Sequence, residues 1–476
     1  MKYTVKAEEM YEAENSAFEK SLNKKDAMFS AGCAVFERVK QYKNVLVVAF
    51  CGNNGGDGFV CAQKLRGQGT KTDILLLGDT NKLSEHAKFF YNKVKDLIVD
   101  KPRGDYDCVV DALFGIGFHG SLAGKARKYA ELINGFKGRA KIVSVDMPSG
   151  LDAFGQADYA VCADETVTFA AIKYGQIIGH GADYTGEITV ADIKIKAESD
   201  LIFVEKDDIK PLLPKMSSTA HKGTRGHVGV IASSFGMEGA GMLSAISALR
   251  ASAGKASLCV PEECKEFYSS RAPEVMLAVR KSISDTENFI KDKDVVVFGP
   301  GIGRNEKNNE ELLECVLSCG NMPLIIDADG LYYLTPEKLK QANRTVILTP
   351  HMGEAARLFN ISIKELMLDP KKYAAEFFDK TGATVLLKSN FNLIAGKKNY
   401  ITVFGCPAMA TAGSGDVLSG IAGGAMCLTR DAESACLIAT FVHGTAGRYA
   451  MKEKTEYSVC ASDISENIYK AFGELV

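Results

Sequence analysis

Val45-Leu-Val-Val-Ala-Phe-Cys-Gly-Asn-Asn-Gly-Gly-Asp-Gly58 decides the fold of the first half of the chain. A short continuous apolar run, a Gly-rich turn and then a helical pattern make the strand–turn–helix unit of a parallel sheet, whose strands are buried on both faces. The unit recurs. Asp73-Ile-Leu-Leu-Leu77, Cys108-Val-Val-Asp-Ala-Leu-Phe114 and Lys141-Ile-Val-Ser-Val-Asp146 are further apolar runs that close near Gly or Asp. Ligands of doubly wound sheets bind at such carboxyl ends. An amphipathic helical stretch precedes the series, up to about Gln41, and short β-like runs follow it between Glu165 and Ile195.

A second series begins at Val228-Gly-Val-Ile-Ala232. It continues through Ala256-Ser-Leu-Cys-Val260, Val295-Val-Val-Phe298, Pro323-Leu-Ile-Ile-Asp327, Thr345-Val-Ile-Leu348 and Ala383-Thr-Val-Leu-Leu387. Between the two series lies a charged segment with two prolines, Lys206 to Pro214. A domain boundary is expected there, giving α/β domains over residues 1–205 and 206–476.

The 476 residues are long enough for two or three domains, and 46% apolar with 24% charged residues is a globular composition. A formal net charge of -2 carries no basic excess, so neither nucleic acid nor an anionic membrane surface is an expected partner. No apolar run reaches the roughly 18 residues of a membrane span, and the polar, acidic opening from Met1 to Lys20 is unlike a signal or transit peptide. The 13 cysteines are odd in number and contain no C-x-x-C. Cys315 and Cys319 would share a helix face, but no second Cys or His pair accompanies them, which speaks against zinc. A reducing, cytoplasmic setting is expected, and a homo-oligomer.

Three motifs stand at strand ends in the first half. Asn53-Asn-Gly-Gly-Asp-Gly58 offers backbone N–H groups at a helix start, which suits a phosphate; a plain βα turn is the alternative. Gly115-Ile-Gly-Phe-His-Gly120, with Ser121 after it, matches G-x-G-x-x-G in letter only. It follows a later strand than the first, and Asn134 stands about 20 residues on, where a ribose-binding acid belongs. Asp146-Met-Pro-Ser-Gly-Leu-Asp152 puts an acid beside a turn, ready for proton transfer or for a simple Asx turn.

The second half carries Met409-Ala-Thr-Ala-Gly-Ser-Gly-Asp-Val-Leu-Ser-Gly420. Gly413 and Gly415 precede an apolar helix, leaving free N–H groups for an anion. Asp416 lies in the first turn, where it can take a hydroxyl proton as the oxygen attacks phosphorus. A dipole-stabilising Asp is the structural alternative. Gly299-Pro-Gly-Ile-Gly303, Asp327-Ala-Asp-Gly330 and Thr349-Pro-His-Met-Gly-Glu354 are further strand-end loops.

The first-half motifs, with Ala27-Met-Phe-Ser-Ala-Gly32, Thr166-Val-Thr-Phe169 and Val190-Ala-Asp-Ile193, resemble the YjeF N-terminal family of NAD(P)H-hydrate epimerases, which implies a Rossmann-like three-layer α/β/α fold. The resemblance implies that Asn53, Asn54, Gly55, Gly56 and Asp57, and Gly115, Ile116, Gly117, Phe118, His119, Gly120 and Ser121, contact a damaged cofactor. It makes Asp146 the acid/base residue, with K+ near Asn54, Asp111 and Ser149. The second-half motifs, with His221-Lys-Gly-Thr-Arg-Gly226, Pro273-Glu-Val-Met276 and Val442-His-Gly-Thr-Ala-Gly447, resemble the YjeF C-terminal family of ribokinase-like, nucleotide-dependent NAD(P)H-hydrate dehydratases. Here Ala240, Gly301, Gly303, His351 and Asp416 are implied to hold the hydrated nicotinamide cofactor. Lys388, Ser389, Asn390, Phe391, Asn392, Gly413 and Gly415 are implied to hold ADP or ATP with Mg2+. The expectation is a bifunctional enzyme that epimerises and dehydrates hydrated NADH and NADPH. The rival is a ribokinase-like kinase of a vitamin precursor, fused to a non-catalytic Rossmann-like module.

Overall fold

The structure is a computed structural model that describes residues 2–268, 272–304 and 308–476. Lys2–Phe203 and Val204–Val476 form two compact units. No helix among the described residues is long and apolar enough to cross a membrane.

The strands of the first unit are β1 (Lys2–Val5), β2 (Asn44–Phe50), β3 (Lys71–Leu77), β4 (Cys108–Ala112), β5 (Lys141–Val145), β6 (Glu165–Phe169), β7 (Ile172–Lys173), β8 (Glu187–Ala191) and β9 (Leu201–Phe203). A parallel sheet runs β3-β2-β4-β5-β6-β8. Val45 to Ala49 are fully buried, as a strand covered by helices on both faces requires. This sheet starts in β2, builds outward through β3, then returns to the other side through β4. That reversal opens a crevice between the ends of β2 and β4, the place where such sheets take ligands. Beside the sheet, β1 pairs parallel with β7 and antiparallel with β9.

The strands of the second unit are β10 (His227–Ile231), β11 (Lys255–Pro261), β12 (Val275–Arg280), β13 (Val295–Phe298), β14 (Leu324–Ile326), β15 (Val346–Leu348), β16 (Thr384–Lys388), β17 (Asn392–Ala395) and β18 (Asn399–Thr402). They pair in the order β12-β11-β10-β13-β14-β15-β16-β17-β18. The ladders are parallel from β12 to β16 and antiparallel from β16 to β18. The order reverses between β10 and β13. The ends of β10, β13, β14, β15 and β16 therefore gather their loops on one rim.

Helix Ser414–Thr429 delivers Asp416 to this rim and is held there by close packing on helix Glu238–Arg250. A Cβ added to Gly420 would lie 2.1 Å from the Ser244 carbonyl oxygen, so the two backbones touch. The Gly420→Ala substitution is expected to destabilise the second unit by about 1–3 kcal/mol through overpacking. Urea unfolding followed by circular dichroism checks this; an unchanged midpoint for that unit contradicts the close approach.

Candidate active sites

In the first unit, a cavity of 640 Å³ opens at the β2/β4 crevice. Asn53, Asn54 and Asp57 after β2, Gly115 to His119 after β4, and Asp146 after β5 line it together. Gly55 and Gly56 do not line it. They sit buried in the first turn of helix Asn53–Gly67, where a Cβ on Gly55 would lie 1.8 Å from the Phe50 carbonyl oxygen. That turn is closely packed, and a Cβ on Gly56 would lie 2.6 Å from the Met28 side chain. Gly120 and Ser121 also lie outside the lining, and the Ser121 hydroxyl donates to Asp158.

Asp146 stands at φ 65°, in the left-handed region that a short polar side chain tolerates best. Its Oδ2 accepts the Ile116 backbone N–H at 2.9 Å, tying it to the loop after β4. Its Oδ1 faces the Lys173 ammonium at 2.8 Å, and Lys173 is only 2% exposed. Gln176 fixes both partners: its Nε2 donates to the Asp146 carbonyl at 2.8 Å and its Oε1 accepts the Lys173 N–H at 2.8 Å. Helix Ala7–Glu19 adds Met10, Tyr11 and Glu14 to the cavity. Burial, reinforced by Asp146, pushes the Glu14 carboxyl up, while Lys173 and Lys24 oppose the shift. Burial, with Asp146 and Glu14 close by, pushes Asp57 well above the usual carboxylate range.

Asp111, in β4, and Ser149, after β5, are fully buried and do not line the cavity. Asp111 accepts the Ser149 hydroxyl at 2.6 Å, the Ser149 N–H at 2.9 Å and the Ser144 hydroxyl at 2.9 Å. Burial still raises the Asp111 carboxyl against these hydrogen bonds.

In the second unit, Gly413 caps helix Ser414–Thr429 at φ 90°. Burial, with help from Asp327 and opposed by Lys388, pushes the Asp416 carboxyl up to about 7. Asp327, 1% exposed, holds the Lys388 ammonium through Oδ1 at 2.7 Å. Asp327 Oδ2 is buried and has no hydrogen-bond partner among the described residues, and it lies on the side where a Cβ on Gly415 would stand, 3.9 Å away. His443 is buried beside the turn, with Nε2 3.1 Å from the Ser414 hydroxyl; burial holds it neutral and down to about 4. His351 begins helix Met352–Phe359, where its Nδ1 accepts the Gly353 N–H at 3.0 Å. A backbone bridge joins His351 to Lys388.

The Gly299–Gly303 loop reaches the same rim. Gly303 N–H donates to Asp329 at 3.1 Å, and a Cβ on Gly301 would lie 3.0 Å from that of Ala240. Ser389 and Asn390 form the exposed tip of the β16–β17 hairpin, and neither needs a positive φ. Phe391 is buried, and Asn392 is half-buried. Away from the rim, Glu287 joins Cys315 and Cys319 within 4.8 Å, but three ligands fall short of a structural zinc set.

Sequence reasoning passed over Lys173, Tyr11 and Glu14 in the first cavity, Gln176 behind them, and the Asp327–Lys388 pairing in the second site. Nothing near Lys173 in sequence signals a site, because its acid lies across a sheet. Glu14 sits in an acidic stretch that reads as a solvated helix face.

Two α/β units with buried acid–base groups at their strand ends define an enzyme. Comparison with known proteins narrows the class. The family described as NAD(P)H-hydrate dehydratase matches residues 228–470, and the YjeF-related protein N-terminus matches residues 23–175. The bifunctional NAD(P)H-hydrate repair enzyme Nnr of Thermofilum pendens is 34% identical, over 90% of this chain and 87% of that protein. That of Moorella thermoacetica is 32% identical, over 92% and 90%. An ADP/ATP-dependent NAD(P)H-hydrate dehydratase of Bacillus subtilis, co-crystallised with ATP/Mg2+, superposes with a TM-score of 0.54 at 25% identity, covering 59% of this chain and 100% of that one. The chain belongs to the family of bifunctional NAD(P)H-hydrate repair enzymes.

The electrostatics of the second site are open to test. Asp327→Asn removes the negative neighbour and frees the Lys388 charge, so the Asp416 titration is expected to move down from about 7. Carboxyl-carbon NMR of labelled protein measures it; a midpoint that stays put contradicts the coupling.

Proposed function

We propose that the chain repairs hydrated NADH and NADPH. The first domain, residues 1–205, interconverts the R and S hydrates at the Asp146 cavity. The second, residues 206–476, dehydrates the S form at the expense of ADP or ATP. The observation that carries the reading is Asp416, a largely buried carboxyl near neutrality in the first turn after the Gly413–Gly415 turn. The two bifunctional relatives named above support it over 87% and 90% of their length.

Asp416 takes the proton of the substrate hydroxyl, and the oxygen attacks the terminal phosphorus of the nucleotide. The resulting phosphate ester makes a better leaving group than hydroxide; phosphate leaves C6 with the bonding pair, and a proton lost from C5 to water gives the C5=C6 double bond of the nicotinamide ring. Free N–H groups at the helix start stabilise the charge that develops. Lys388, fixed by Asp327, supplies a positive charge beside Gly415. Magnesium carried with the phosphates would neutralise further charge, and the unpartnered Asp327 Oδ2 and the Glu354 carboxyl are oxygen donors suited to it. In the first domain, potassium near Asn54, Asp111 and Ser149 fits an all-oxygen donor set with a fully buried carboxyl. The ion-paired Asp146 in a cavity of its own argues against a non-catalytic module. A cytoplasmic location fits 13 cysteines that are all free.

Asp416→Asn is expected to lower nucleotide-dependent dehydration by about a thousandfold, in the range of a lost general base, and to leave R-to-S conversion intact. Wild-type dehydration is expected to rise with pH through about 7, because the base works only once deprotonated. Recovery of nicotinamide absorbance from hydrated NADH with ADP or ATP measures both; retained turnover in the variant removes Asp416 from the mechanism.

A further inference from the structure

We propose that Glu14 is the general acid of the first site, donating the proton that releases the C6 hydroxyl of the hydrate while Asp146 serves as the base. The proposal rests on the epimerase reading above.

Lys173 carries the argument. An ammonium has three N–H donors. Here one goes to Asp146 Oδ1 at 2.8 Å, one to the Thr168 hydroxyl at 2.9 Å and one to the Phe169 carbonyl at 2.7 Å. All three are used, and only one carboxylate receives one. Glu14 and Asp57 face the same cavity, and among the described residues neither is ion-paired to a cation. Ionising them would crowd further negative charge around an ammonium whose donors are already committed, so the protonated form is favoured at both. The directions of the Glu14 and Asp57 shifts agree.

Geometry chooses between the two acids. Asp57 is 9% exposed, walled into the second turn of its helix. Glu14 is half-buried, one turn beyond Met10 on helix Ala7–Glu19, and open to the cavity. It is dry enough to hold a proton and open enough to deliver it.

The step balances without a redox partner. Glu14 protonates the C6 hydroxyl, the C–O bond breaks, and water leaves with the bonding pair. The ring-nitrogen lone pair forms the N1=C6 bond. Water then adds to C6 from the opposite face, Asp146 takes its proton, and the N1=C6 π pair returns to nitrogen. The proton passes from Asp146 back to Glu14 before the next turnover.

The test uses the full-length protein without nucleotide, following R-to-S conversion by chromatography, with dehydration of the S hydrate plus ADP or ATP as the control for folding. Glu14→Gln is expected to slow conversion about a hundredfold, and Glu14→Asp to recover part of it, with dehydration unchanged in both. An acid with a raised value stays protonated to higher pH, so wild-type conversion is expected to fall as pH rises through that value. The charged or titratable groups around Glu14 are Tyr11, Lys24, Asp57, His119, Asp146 and Lys173. Glu14→Gln is expected to lose the alkaline limb and Tyr11→Phe to keep it. Conversion within threefold of wild type in Glu14→Gln, or the limb surviving there, overturns the proposal alone. No conversion by the wild-type chain overturns the epimerase reading and the proposal with it.

Discussion

A parallel strand covered by helices on both faces leaves only its ends free to meet a ligand. Both units of this protein are organised by that constraint. In the first, the sheet order turns between β2 and β4, and the loops that follow them wall the cavity. In the second, it turns between β10 and β13, and the Gly299–Gly303 loop and Asp327 follow the strands nearest that reversal. The apolar runs give the sheet its stability, and the residues that interrupt them are left to do chemistry.

The two sites also share an electrostatic plan. Each places one lysine against one aspartate, Lys173 with Asp146 and Lys388 with Asp327. Each sets further carboxyls beside that pair, Glu14 and Asp57 in one and Asp416 in the other, and burial raises all three. A buried cation satisfied by one acid cannot fully stabilise the ionised form of the next. Proton-holding groups arise from the same arithmetic on unrelated loops.

Much of this was legible in the residues themselves. Val45 to Ala49 had to be a covered strand, and Gly413 to Asp416 had to be a turn entering a helix. The Gly115–Ser121 match was a weaker guide, since only its first five residues reach the cavity. The half-exposed strand Val275–Arg280 and the small ladder of β1, β7 and β9 escaped, because short edge pairings lack a continuous apolar run. Lys173 and Glu14 escaped for a different reason. Their meaning lies in partners 27 and 132 positions away, 146 subtracted from 173 and 14 from 146. Local pattern carries nothing across such separations, whereas Gly-rich turns announce themselves within a few residues.

The left-handed backbone at Asp146 has a bearing on how this protein can change over time. Most side chains resist that conformation by about 1 kcal/mol or more; glycine, asparagine and aspartate accept it. Of those three, only aspartate can carry the negative charge that Lys173 needs. Shape admits a short list and charge reduces it to one name. Drift at this position is therefore closed from two independent directions. Glutamate, the usual stand-in for aspartate, meets that backbone cost on top of any change to its chemistry.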